Sequence, residues 1–241
     1  YLTGYRSCIR PGGLYKMMIK PFVSYGIRGA IWYQGEDDDA RDWVDFYDES
    51  MKAVINSWRK AWNEDFPFIQ VELAPFEGIG VTGAKQYDVL RHKQYNATKA
   101  LDNAYDICIN DVGERFNIHP RRKRKVGVRL ANIALKHVYG FDDLVADMPI
   151  IKECELVDNK IVISFDNVAK GLEIKDNLKD VLFVLKNEQS IDYEYEIDFD
   201  KLILKGNFEK GLVIKYCESN YPVASIFNSE DNPVFGFTVE V

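Results

Sequence analysis

A change of hydrophobic period near residue 148 constrains this chain more than any other feature. Upstream, short apolar runs alternate with stretches in which apolar residues recur at three- and four-residue steps. Downstream, only short runs rich in β-branched and aromatic residues remain, divided by turn signals. In the upstream part, "GIRGAIWYQ" predicts a buried strand over residues 27–33, "FPFIQVELA" a second over 66–74, and "AYDICIND" a third at 104–111. Between them, Tyr47, Met51, Val54, Ile55, Trp58, Ala61 and Trp62 share one helical face. Tyr87, Leu90, Gln94, Ala97 and Leu101 share another. "PRRKRKVGVRLANIALKHVYG" predicts a third helix, with Pro120 suited to its first position and Gly140 to its end. Strands separated by helices predict parallel βαβ units.

After the change, "KIVISF", "VLFVLK", "YEYEIDF", "KLILKG" and "LVIKYC" predict strands, with "VDNK", "KDN" and "KGNFEKG" as the turns between them. The expectation is an α/β domain over residues 1–148 and an antiparallel, sandwich-like all-β domain over 149–241. The boundary is short, so the two are expected to pack together.

The 241 residues carry a formal net charge of −7, which argues against a nucleic-acid or anionic-membrane partner. No run of 18 apolar residues exists, so no membrane-spanning helix is expected. The chain starts at Tyr1 without a basic-then-apolar leader, which leaves its compartment open. Cys8, Cys108, Cys154 and Cys217 lie far apart without a CxxC spacing, so a metal site is not expected, and the thiols read as small hydrophobes.

Ligands of parallel α/β sheets bind beyond the carboxyl ends of strands. "YQGEDDD" and "NDVGERFNIHP" both occupy that place. His119 precedes Pro120 near a predicted helix start, where the dipole disfavours a cation. It reads as a neutral proton acceptor or as a helix cap. His92 and His137 fall inside helix patterns and read as structural. "RRKRK", residues 121–125, reads as a solvated face or as an attractor for an anionic substrate. Asp37, Asp38 and Asp39 read either as site groups or as the acidic first turn of a helix.

"GAIWYQGE", then "LRHKQ", "DVG" and "IHPRRKRKVGVRLANIALKHVYG", resemble the sialate O-acetylesterases of the SGNH-hydrolase superfamily. "PGGLYKMMIKPF" resembles the segment ahead of the WYQGE strand in that family, and "VIKYCESNYPVASIFNSEDNPVFGF" its C-terminal β region. The resemblance implies a flavodoxin-like parallel sheet with helices and an enzyme that removes acetyl groups from sugar hydroxyls without a cofactor. It implies a serine nucleophile, a histidine base and an oxyanion site of backbone amides plus an asparagine amide. The family's histidine falls on His119 and its asparagine on Asp38. Gln34, Gly35, Glu36, Asp111 and Asn117 are then supporting groups, and Arg91 and Arg121 substrate-binding ones. The family's setting implies a periplasmic or secreted protein and an acetylated sugar or glycan as its partner.

Four departures accompany the resemblance. The family's Gly-Gln-Ser-Asn nucleophile stretch is absent. The first strand of the sheet and a glycine oxyanion donor are expected to be missing with it. Asp38 stands where the family has asparagine, and an ionised carboxylate only accepts hydrogen bonds. It could donate when protonated, which needs a raised pKa. Asn117 stands where the family commonly has aspartate; it can hold the imidazole by its carbonyl but lends it no charge. Lys16 stands where asparagine is frequent. No serine of the chain lies in a recognisable elbow motif, so the chain alone is expected to show no serine-dependent turnover. Two readings follow: an acetylesterase whose nucleophile comes from elsewhere, or a catalytically degenerate module that binds glycans or serves as structure. In either case an open strand edge is expected to be covered by a companion fragment or a second copy.

Overall fold

The computed structural model describes residues 11–80 and 83–241; Cys8 lies outside them. Its first unit is a three-stranded parallel sheet of β1 (Ala30–Tyr33), β2 (Phe68–Val71) and β3 (Ala104–Ile107), in the order β1-β2-β3. Ala30 pairs with Phe68, and Phe68 with Ala104. Every residue of the central β2 is buried, as a strand covered on both faces requires. The strands are shorter than the apolar runs predict. Pro67 has no N–H to donate, so both ladders begin at Phe68. Ahead of them, Pro67 offers only its carbonyl, to the Ala30 N–H at 2.9 Å.

Four helices accompany the sheet: α1 (Glu36–Ala40), α2 (Tyr47–Trp62), α3 (Tyr87–Lys99) and α4 (Lys123–Tyr139). The helical faces read from the sequence are the buried ones: Tyr47, Met51 and Ile55 on α2, and Tyr87, Leu90, Gln94 and Ala97 on α3. Helix α4 ends at Gly140, whose φ of +74° is the left-handed value a C-terminal glycine supplies. Its start differs from the sequence expectation. Pro120 is not the first helical residue, because the Arg121 N–H is taken by the Glu114 carboxylate at 2.9 Å and the Lys123 N–H turns back to the Arg121 carbonyl at 2.8 Å. The helix opens at Lys123 with Arg122 as its N-cap. No helix among the described residues is long and apolar enough to cross a membrane.

The second unit comprises ten strands. β4 (Ile150–Val157), β5 (Lys160–Asp166), β10 (Lys201–Lys205) and β9 (Glu194–Asp198) form one antiparallel sheet. β13 (Phe237–Glu240), β11 (Val213–Tyr216), β7 (Leu182–Lys186) and β8 (Gln189–Ile191) form a second, and β12 (Ile226–Asn228) pairs with β6 (Leu172–Ile174). Ile161, Ile163, Leu202 and Leu204 of the first sheet share a core with Leu182, Val184, Ile214 and Tyr216 of the second. Positive φ at Asp158 and Asn159, and again at Asn187 and Glu188, makes the tight turns that join β4 to β5 and β7 to β8.

The units are joined by specific bonds. His92 on α3 meets Glu218 at 2.7 Å, and Arg91 donates to the Ser219 carbonyl. The Asn220 carbonyl accepts the Phe76 N–H, and the Asn220 side chain accepts the Tyr87 N–H and donates to the Ala84 carbonyl, each at 2.9 Å. The Tyr95 and Phe235 rings lie 5.1 Å apart. The bond to Glu218, ahead of its charge, raises the His92 imidazole despite burial. His137 bonds Asp147 at 2.6 Å and stacks on Tyr105. Both histidines therefore tie helices to neighbouring segments. Cys108, Cys154 and Cys217 are free thiols.

Candidate active site

Two loops define the rim at the carboxyl ends of the parallel strands. The first follows β1. The Gln34 carbonyl accepts the Tyr47 hydroxyl at 3.1 Å and the Gln94 amide at 3.0 Å, while Gln94 Oε1 accepts the Leu73 N–H at 2.8 Å. This buried set fixes the direction in which the chain leaves the strand. Gly35 then turns it with φ +153°, and a Cβ there would stand 3.2 Å from Leu73 and 3.3 Å from the Gln94 amide. The turn runs straight into α1, so the acids do occupy the first turn of a helix.

The three aspartates have three different tasks. Asp37 is exposed and pairs with Arg41 at 2.6 Å. Asp39 is 2 % exposed and accepts the backbone N–H groups of Lys85 at 2.9 Å and Gln86 at 2.6 Å, which caps the approach to α3. Asp38 is half-buried and receives the Gln34 side-chain amide. Burial pushes its carboxyl above the usual range, the Gln34 bond pulls back, and the Asp37 charge pushes further up. Glu36 stands near Tyr33 and Lys123, whose ionisations feel its charge, but the hydrogen-bond network runs through Gln34 rather than Glu36.

The second loop follows β3. Asp111 holds Arg129 at 2.6 Å and Lys125 at 2.9 Å. Burial works to raise the Asp111 carboxyl, but bonds to Arg129 and Lys125 outweigh it and hold the group below the usual range. Asp111 thus anchors α4 rather than the imidazole. Glu114 closes the loop: one oxygen takes the Arg121 backbone N–H and Nε at 2.9 and 3.1 Å, and the other takes Arg121 Nη2 and the Asn117 amide at 3.2 and 3.3 Å. His119 lies inside this closed loop with its side chain exposed. The side-chain oxygen of Asn117 accepts the backbone N–H of His119 at 3.1 Å, so Asn117 positions the loop and does not hold the imidazole ring.

The two loops share one rim. Ile118 packs into the apolar cluster of Tyr33, Leu73, Phe76 and Leu90, and the Lys123 ammonium stands 4.3 Å over the Tyr33 ring. Of the expected substrate-binding residues, Arg121 lies on this rim but is bound to Glu114. Arg91 is 4 % exposed and donates to the Ser219 carbonyl, so it belongs to the interior. Sequence reasoning missed Glu114, Asn110 and residues 219–222 of the second unit. Glu114 had a faint signal, an acid seven residues ahead of Arg121. Nothing local marks a loop a hundred residues downstream as part of the rim. A cavity of about 560 Å³ opens there, between that loop and the end of β3.

A short parallel sheet with flanking helices, followed by an antiparallel β unit whose 219–222 loop reaches the rim, is an SGNH-like fold. A crystal structure of a carbohydrate acetylesterase from Xanthomonas citri matches 95 % of this chain with a TM-score of 0.81 at 28 % identity, and this chain covers 54 % of that one. The human sialate O-acetylesterase is 28 % identical over 166 residues, 61 % of this chain and 31 % of its own. The rat enzyme is 27 % identical over 186 residues, 69 % of this chain and 33 % of its own. The chain thus spans about a third of the length of the curated relatives it matches. Residues 5–136 match the family described as carbohydrate esterase, sialic acid-specific acetylesterase, and the chain belongs to that family.

Proposed function

We propose that this chain is the histidine-bearing part of a carbohydrate O-acetylesterase whose serine nucleophile is supplied by a polypeptide segment outside these 241 residues. The observation that carries the reading is the pairing on one rim of the His119 loop, clamped by Glu114, with the Gln34–Asp38 turn. In the reaction the serine hydroxyl attacks the acetyl carbonyl and His119 takes its proton. The oxyanion forms against backbone amides, and a protonated Asp38 donates to it where the family places asparagine. Collapse expels the sugar alkoxide, which takes the proton from His119, and water then releases acetate by the reverse sequence of proton transfers.

The open side of β1 supports an external nucleophile segment. Ile31 on this edge strand is 63 % exposed and borders a groove with Pro67, Ile69, Ala134, Val138 and Tyr139. A parallel strand from the nucleophile-bearing segment pairs there. The degenerate reading has one observation in its favour: Asn117 bonds the backbone of His119, and among the described residues no carboxylate pairs with the ring.

The test is deacetylation of O-acetylated sialic acid by this chain and by a longer form carrying the upstream segment. The expected result is no turnover by the chain alone, and turnover by the longer form that His119→Ala removes. Turnover by the chain alone, blocked by a serine-directed reagent, overturns the external nucleophile. A longer form that is folded and inert selects the degenerate module.

A further inference from the structure

The run of cations at residues 121–125 divides by partner once the chain is folded. Arg121 is bound to Glu114, and Lys125 to Asp111 and Asp231. Arg122 and Arg124 are exposed and have no ion pair among the described residues. Lys123, the first residue of α4, has no ion pair among them either, yet its ammonium stands 4.3 Å over the Tyr33 ring. Burial draws this ammonium below the usual lysine range, and the Glu36 charge pulls it back. The cation is therefore partly out of water, where the attraction to a ring face is stronger than at an open surface. The contact fills a gap in the way the site is held. The Glu114 clamp closes residues 114–121 on themselves. The near limb of the loop is tied down at the Arg115 carbonyl, which accepts the Glu77 and Gly78 N–H groups at 3.0 Å each. Neither set of bonds reaches the β1 turn. Two contacts do, one on each side of His119. Ile118 packs into the apolar cluster that includes Tyr33, and Lys123 lands on the face of the same ring. Tyr33 is the last residue of β1, and the Ala74 backbone beyond β2 bonds its hydroxyl. The ring is thus a fixed post at the point where the chain turns towards Asp38.

We propose that Lys123 is a positioning residue for His119: its ammonium, held on the Tyr33 ring, fixes the far limb of the His119 loop against the β1 turn that carries Asp38. Lys123 touches no reacting group and acts through the imidazole four residues before it. With Ile118 alone the loop is pinned on one side of His119, and the far limb is free to drift along the rim. A drift of an ångström at a proton acceptor is enough to slow a reaction by up to about a hundredfold. A guanidinium stacks on an aromatic face as an ammonium does, so arginine can take the place of Lys123. That the loop serves a reaction rests on the esterase reading above; that Lys123 anchors the loop does not.

Two measurements test this. The first is hydrogen exchange on the 241-residue chain. In Lys123→Ala the His119 and Arg121 amides are expected to exchange about fivefold faster, the factor that a partly desolvated cation over a ring supplies. Amides of the β unit stay at the parent rate, which separates release of the loop from general loosening, and Lys123→Arg returns the loop to within twofold of the parent. The second is deacetylation of O-acetylated sialic acid by the longer form that carries the upstream segment. Lys123→Ala lowers kcat at least fivefold with KM within twofold of the parent, and Lys123→Arg restores it. Tyr33→Leu, which keeps apolar bulk without a ring face, lowers kcat likewise, and the double variant is no slower than the slower single one. Parent kcat in Lys123→Ala, losses that multiply in the double variant, or an arginine variant as slow as the alanine one overturns the proposal. Unchanged exchange at His119 and Arg121 overturns it as well, whatever the longer form does. Exchange that responds as stated in a chain whose longer form never deacetylates leaves the anchor standing and removes the esterase.

Discussion

Asp39→Ala is the substitution whose effect differs most from its neighbour's. Asp37, two residues earlier, looks equivalent in the sequence. The structure separates them by partner and by burial. Asp39 is 2 % exposed and accepts two backbone N–H groups, at 2.9 and 2.6 Å, from residues that lead into α3. Each bond to a charged acceptor contributes about 1.5 kcal/mol or more, so removing the carboxylate costs about 3 kcal/mol. At about 2–4 °C per kcal/mol for a chain of this size, Tm falls by about 6–12 °C. Asp37 pairs with Arg41 through side chains that are 69 % and 55 % exposed, and such a pair contributes about 0.5 kcal/mol or less. Asp37→Ala therefore shifts Tm by about 2 °C or less. Scanning calorimetry of the two variants beside the parent reads the contrast directly. Equal losses in both would refute the assignment of Asp39 as the cap and Asp37 as a surface ion pair.

Two further outcomes follow from buried acids. Burial raises the Glu72 carboxyl, with Arg91 and His92 pulling it back; Cys108 and Glu218 also face it, and it raises Asp106 in turn. The folded state then keeps the Glu72 proton to higher pH than the unfolded state does. Stability is full below the ordinary carboxylate value and falls as pH rises towards the raised one. Glu72→Gln removes that fall, so its Tm should match the parent at about pH 5 and exceed it at about pH 8; an unchanged difference between the two pH values argues against a buried titrating acid. Asp38→Asn in the longer, nucleophile-bearing form supplies a donor at every pH, whereas Asp38 donates only below its raised pKa. One oxyanion donor contributes about 3 kcal/mol, so the gain in kcat should grow with pH as Asp38 loses its proton and approach about a hundredfold; a loss at every pH sinks the oxyanion assignment.

How far the fold could be read from the chain depended on whether the signal was local. Helices α2 and α3 announced themselves because their buried faces repeat every three or four residues. The five named strands of the second unit were legible as short β-branched and aromatic runs divided by turn residues. β6, β8 and β12 have three residues each, too short to show a period. The α4 start was misread because Pro120 is a good first helical residue, and the Glu114 carboxylate that displaces the start is a tertiary partner. At the site, His119 and Asp38 were legible by motif. The roles of Asn117 and Arg91 were not, since both hinge on which neighbour the fold presents. The Asn117 side chain takes the backbone amide of His119, and Arg91 faces inward to Ser219.

The start of α3 is secured from two directions that lie far apart along the chain. Asp39 reaches it from 46 residues before Lys85, and Asn220 from 133 residues after Tyr87. During synthesis the first of these partners has already left the ribosome when the helix emerges, while the second has not been made. The helix therefore emerges with one of its leading amides bare, and that amide finds its partner only once residue 220 has been made. Exchange of the β unit for an unrelated one would reopen that end of the helix, so the two halves form a pair that must be inherited together.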